Sequence, residues 1–238
     1  MASDASFISG KIHEVLRAAA KAFGPISPPI DPFVLAELCG VRKITRQLMI
    51  PEGVLKVVDD GFEVFLQDNF TDQPGAATRQ RFTLAHELVH TFYYDRSTRP
   101  PRPLQGTPEG GKLELLCNSG AGQLLVPTFL LRKQAKERII SHASEIVELA
   151  QNFNVSPEVI VRRLDDVPAI LESNFAVALI DFSDASKPTI QADCNTDWLR
   201  AEFQLPRPGS DFFQWIRPVW DTSKGEVRPI GLTARASA

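Results

Sequence analysis

The stretch Arg81-Phe82-Thr83-Leu84-Ala85-His86-Glu87-Leu88-Val89-His90 decides how the rest of this chain is read. His86 and His90 are four residues apart, so on a helix their imidazoles leave the same side, one turn from each other. Two neutral ring nitrogens so placed can bind one Zn²⁺ at about 2.0–2.1 Å. Glu87 lies about 100° further round the helix than His86, where its carboxylate reaches a metal-held water instead of the metal. The metal lowers that water's pKa toward about 7, and the carboxylate can take its proton as the water attacks a peptide carbonyl. Histidine occurs only at His13, His86, His90 and His142, so the pattern H-E-x-x-H arises by chance in on the order of a few per thousand chains of this composition. The competing reading is a helix with two hydrogen-bonded histidines and a surface glutamate. It fits poorly, because the surrounding helix is strongly apolar and a buried carboxylate there needs a partner.

A catalytic zinc usually takes three protein ligands and a water. An extension with Gly three residues after the second His and a ligand three further on would meet Tyr93 and Arg96, and it fails; Asp95 is one position off. The third ligand then comes from a later helix. Glu114 leads, near the start of a helix expected at 112–126, with Asn118 one turn on and able to orient a ligand. An ordinary solvated first-turn glutamate, stabilised by the helix dipole, fits Glu114 equally well on the residues alone. Glu109 and His142 are the fallback ligands. Gly120 and Gly122 cost that helix roughly 1 kcal/mol each relative to Ala, and close approach to the histidine-bearing helix explains them better than fraying does.

Composition sets the outer bounds. The 238 residues are 43% apolar and 23% charged with a net charge of −3, ordinary for a globular protein and no electrostatic case for wrapping nucleic acid. No stretch approaches the roughly 18 apolar residues of a membrane span, and the N-terminus lacks a secretion signal. Cys39, Cys117 and Cys194 are odd in number and far apart, neither a disulfide framework nor a zinc finger. A reducing cytoplasm is the expected setting. Along the chain, helices are expected at 9–23, with Ile12, Val15, Leu16, Ala19 and Phe23 inward, and at 33–39 after an Asp31-Pro32 cap. Strands are expected next at 41–47, 53–58 and 62–67, the last two joined by an Asp60-Gly61 turn of type I′. The motif helix is expected at 78–93, with Phe82, Ala85, Val89 and Phe92 on one face. An exposed loop comes next at 95–111, then helices at 112–126, 128–140, 143–152 and 156–164, with strand-like runs at 175–180 and 189–191.

The motif run is close to the R-F-T-L-A-H-E-L-G-H core of the ImmA/IrrE metallopeptidases of bacteria and their mobile elements. Glu114-x-x-Cys117-Asn118 through Leu124-Leu125-Val126-Pro127 resembles that family's E-x-x-A/C-N-x-F-A-A-x-L-L-x-P block. The resemblance covers roughly residues 10–165. It implies His86, His90 and Glu114 as zinc ligands, Glu87 as catalytic base, and cytoplasmic cleavage of a transcriptional repressor. Val89 stands where the family has Gly, and Gly120 and Gly122 stand at its Phe and Ala positions.

The expected architecture is α+β: a zincin-like metallopeptidase domain with a small mixed sheet (1–130), a helix-turn-helix-like extension (131–168) and a small β-rich C-terminal unit (169–238). The expected activity is that of a zinc endopeptidase with one Zn²⁺ per chain, acting on a protein substrate such as a repressor or antitoxin, with no membrane or nucleic-acid partner. Two alternatives stand beside it: a metal-stabilised regulatory binder with little turnover, and a DNA-binding regulator using residues 143–165, with Arg162 and Arg163 on phosphates. For the last, a helical hairpin packed on the core is the preferred explanation. Tyr93 and Tyr94 could place a hydroxyl near the reacting carbonyl, though half-buried core suits them better. The strand 62–67 could pair with an extended substrate, and Trp198, Trp215 and Trp220 are read as core of the last unit.

Overall fold

A computed structural model describes residues 4–68, 75–137, 140, 143–167, 177–181 and 189–194. The chain falls into two compact units, Met1–Leu130 with Asn152–Ser156 in the first and Leu131–Gln151 with Pro157–Ala238 in the second. Mixed helices and small sheets make the chain an α+β protein.

Helix α1 (Asp4–Phe23) buries Ile8, Ile12, Val15, Leu16 and Ala19 at helical spacing. It starts earlier than expected, and Phe23 is 61% exposed instead of inward, since the helix stops there at Gly24, whose φ is +95°. Helix α2 (Pro32–Ala36) begins as its sequence dictates, the Asp31 side chain accepting from Phe33 N at 2.9 Å with proline in the first turn. It ends short of the expected Cys39, in a turn closed by Gly40 at φ +83°.

Strands β1 (Val41–Gln47), β2 (Gly53–Val58) and β3 (Gly61–Gln67) form one sheet in the order β1-β3-β2, with β1 parallel and β2 antiparallel to β3. Phe62, Val64 and Leu66 alternate along β3 and are wholly buried. Two expectations change here. Val58 pairs with Gly61, so the hairpin loop is Asp59-Asp60, one residue early. Asn154 is the one non-glycine residue with positive φ among the described residues, so this loop is not type I′. Gly61 serves another need: a Cβ there would lie 2.3 Å from the Gly40 carbonyl oxygen. Moreover β3 is the central strand, paired on both sides, so the edges of this sheet are β1 and β2 and not the strand expected to pair with substrate.

Helix α3 (Ala76–His90) carries the motif and runs into a 3-10 turn, Thr91–Tyr93. The expected loop beyond it contains a short antiparallel pair, β4 (Tyr94–Asp95) with β5 (Arg102–Pro103). Helix α4 (Gly110–Leu125) comes next and stops before Pro127. It packs against α3 and α1, while α3 also packs on α2, β2 and β3. At Gly120 a Cβ would stand 2.8 Å from Val89 Cγ1, so the missing side chain is what lets α3 and α4 approach this closely.

Helices α5 (Thr128–Glu137), α6 (Ala143–Phe153) and α7 (Pro157–Asp165) complete the helices of the described residues, with Asn154 at φ +52° between the last two. In the second unit α7 buries Val159, Ile160, Val161 and Leu164 and lies along the antiparallel pair β6 (Val177–Asp181) and β7 (Thr189–Cys194). Arg163 is only 3% exposed and pairs with Asp166, which removes it as a phosphate contact; Arg162 pairs with Glu158 at 2.9 Å. The start of the expected strand at Phe175, His142 and the three tryptophans lie outside the described residues. Among the described residues no helix is long and apolar enough to cross a membrane.

Candidate metal centre

Arg81, five residues before the first histidine, anchors the front of α3. Its Nε donates to the Asn154 carbonyl at 3.2 Å and its Nη2 to the Ile30 carbonyl, and Asp31 lies 3.9 Å away. Burial lowers its pKa, with Asp31 opposing. Behind it Leu84, Ala85, Leu88 and Val89 are wholly buried. That burial fixes the rotation of the helix and turns His86 and His90 toward α4.

There the side chains converge. His86 Nε2 and His90 Nε2 are 3.0 Å apart. Glu114 brings Oε2 to 3.1 Å from His86 Nε2 and Oε1 to 3.6 Å from His90 Nε2. One ligand atom from each of the three residues falls within a 4.8 Å cluster. Asn118 Oδ1 sits 2.9 Å from His86 Nδ1. A carbonyl oxygen only accepts, so this contact favours the tautomer with the proton on His86 Nδ1, the one in which Nε2 can ligate an ion. Burial, then the neighbouring His86, pulls the His90 pKa down and favours its neutral form.

These donors suit one divalent cation. Lone pairs and a carboxylate aimed at a common point repel unless positive charge sits among them. Tetrahedral ligands at about 2.0–2.1 Å from an ion are roughly 3.3 Å from each other, and the observed 3.0, 3.1 and 3.6 Å separations bracket that value. Two imidazoles and one carboxylate are also a usual donor set for a catalytic zinc.

Glu87 is outside this ligand group and buried, 7% exposed. Its carboxyl is pushed up to about 7, first by burial and then by the Glu114 charge, with the Leu55 backbone N–H pulling the other way.

Of the sequence-predicted residues, His86, His90, Glu114 and Asn118 come together, with Glu87 on the adjoining face of α3. Glu109 sits at the N-cap of α4 and is not in the ligand cluster. The Asp95 carboxylate is taken by Ser97, through both its backbone N–H and its hydroxyl. Tyr93 is 4% exposed against Phe7, its hydroxyl without a hydrogen bond among the described residues, and Tyr94 packs edge-on to Phe62. Three residues escaped sequence reasoning. Arg81 could have been found, as the first residue of the motif run. Gly53 and Leu55 of β2, which flank Glu87, had no local signal because their role depends on how the sheet meets α3.

A histidine pair on one helix completed by a carboxylate from a later helix defines a zincin-like class of site. Residues 73–165 match the Peptidase_M78 family model, an IrrE N-terminal-like domain. The resemblance to ImmA/IrrE proteins thus holds across the segment that supplies His86, Glu87, His90 and Glu114, and this family implies a peptidase. A solved structure of a Mycobacterium tuberculosis transcriptional regulator aligns at 17% identity with a TM-score of 0.38, over 68% of this chain and 50% of that one. This chain therefore spans about half the length of that protein, and likeness at this level fixes neither fold nor function. No curated protein matches the chain.

Proposed function

We propose that this chain is a zinc-dependent endopeptidase that cleaves one regulatory protein, such as a transcriptional repressor or antitoxin, in a bacterial cytoplasm. The observation that carries the reading is the convergence of His86 Nε2, His90 Nε2 and the Glu114 carboxylate within 4.8 Å, beside a buried carboxylate that is not one of the ligands. His86, His90 and Glu114 would hold the ion, and Asn118 would keep His86 in the ligating tautomer. When bound, zinc supplies a Lewis acid for the peptide carbonyl and a water of lowered pKa. Glu87 takes a proton from the attacking water on its carboxylate and returns it to the departing amine nitrogen. The proposal of a peptide substrate and of a repressor or antitoxin rests on the family match and its usual role.

The test pairs the purified chain with the repressor or antitoxin encoded beside its gene and follows cleavage by mass spectrometry. The wild type should contain one zinc and cut the partner at a single bond. Glu87→Gln should keep the zinc and cut at least 100-fold more slowly, as expected when a general base is lost. A Glu87→Gln chain that retains the full biological effect points instead to a metal-stabilised binding protein, and a chain without stoichiometric metal overturns both.

A further inference from the structure

The strand facing Glu87 is built around an absent side chain. At Gly53, the first residue of β2, a Cβ would stand 2.6 Å from Glu87 Oε1, 2.6 Å from Thr83 Cγ2 and 3.1 Å from Glu87 Cγ. Real Cβ atoms do not approach heavy atoms at 2.6 Å, so any residue larger than glycine displaces the carboxylate or the strand. The backbone of Gly53 asks for none of this, since its φ lies outside the positive range where glycine is favoured. Conformation therefore does not explain glycine here; space does. Two residues along the same strand, the Leu55 backbone N–H draws the pKa of the same carboxyl down.

We infer that Gly53 is a positioning residue: the space left by its missing side chain sets where the Glu87 carboxylate sits relative to the histidine pair. The three atoms nearest a Cβ at 53 belong to Glu87 and Thr83 and not to His86, His90 or Glu114. The catalytic consequence rests on the peptidase reading of Glu87; the steric coupling does not.

The experiment is a double-mutant cycle on the full-length chain, read by thermal melting after chelator treatment and by zinc content after reloading. Gly53→Ala should lower the melting temperature by about 3 °C or more and leave zinc stoichiometry at the wild-type value. In a Glu87→Ala background the same change should cost less, because two of the three close contacts, Glu87 Oε1 and Cγ, are gone while Thr83 Cγ2 remains. Thr83→Ser, which removes only Cγ2, separates the two contacts. Relief by Thr83→Ser with none by Glu87→Ala overturns the proposal, as does a Gly53→Ala chain as stable as wild type. Where the chain cleaves its partner, Gly53→Ala should lower kcat at least tenfold with KM unchanged, and a rise in KM alone overturns the positioning role. A wild-type chain that cleaves nothing counts against the peptidase reading, while the melting cycle still decides the coupling.

Discussion

At the scale of single residues, the centre depends on which atoms carry protons. The Asn118 carbonyl oxygen favours the proton on His86 Nδ1 and thereby frees Nε2. Asn118→Ala should weaken zinc binding about 10- to 100-fold, as loss of a ligand-orienting partner does elsewhere. Competition with a chromophoric chelator measures this, and undiminished affinity would remove Asn118 from the account. Glu87 gives a second prediction, for metal-free protein. Its carboxyl is raised from 4.5 to about 7 in the folded chain, so folding is helped while the group is protonated. That help is complete below pH 4.5, is lost as pH rises toward 7 and changes little above. Chelated wild type should lose about 2–3 kcal/mol across that window, and Glu87→Gln, with nothing to titrate, should not lose this contribution. Denaturant melts between pH 5 and 8 compare the two.

At the scale of elements, α3 and α4 exchange volume. Where the resembling family has Gly before the second histidine and Phe in the later helix, this chain has Val89 and Gly120, and the Val89 methyls fill the space over Gly120. Gly120→Ala should therefore destabilise wild type by about 1–2 kcal/mol through overpacking. In a Val89→Ala background it should cost less, since the Val89 contacts are gone, the Ile8 Cγ2 contact at 3.1 Å remains, and alanine is the better helix former. Chemical denaturation of the four chains checks the reduction. The same helices show what the sequence could disclose. His86, Glu87 and His90 are legible because helical periodicity alone sets their geometry. Glu114 was not decided by its own surroundings, since a ligand and a solvated first-turn glutamate read identically until α4 is seen to lie across α3. The hairpin slipped by one residue because Gly61 answers to the Gly40 carbonyl, a neighbour distant in sequence. Gly53 was invisible for the same reason, and Phe23 kept the helical period yet fell at the end of α1, where no neighbour covers it.

At the scale of the whole molecule, every residue of the candidate centre lies before residue 130, yet Asn152–Ser156 belongs with that first unit. Phe153 is wholly buried, and the Asn154 carbonyl receives Arg81. We propose that residues 1–130 contain the peptidase centre but need this later segment for full stability. A fragment ending at 130 should melt lower than the intact chain by the equivalent of a lost core aromatic, about 3–5 kcal/mol, while binding zinc with the same stoichiometry. The converging ligands have one more consequence. An ion held by His90 and Glu114 is a cross-link that closes a ring of 24 positions through the β4–β5 connection. It restricts the unfolded chain much as a covalent bridge would. Removing the ion should then quicken amide exchange in the connection far more than in β1–β3, since a bound ion would also fasten the polypeptide around it.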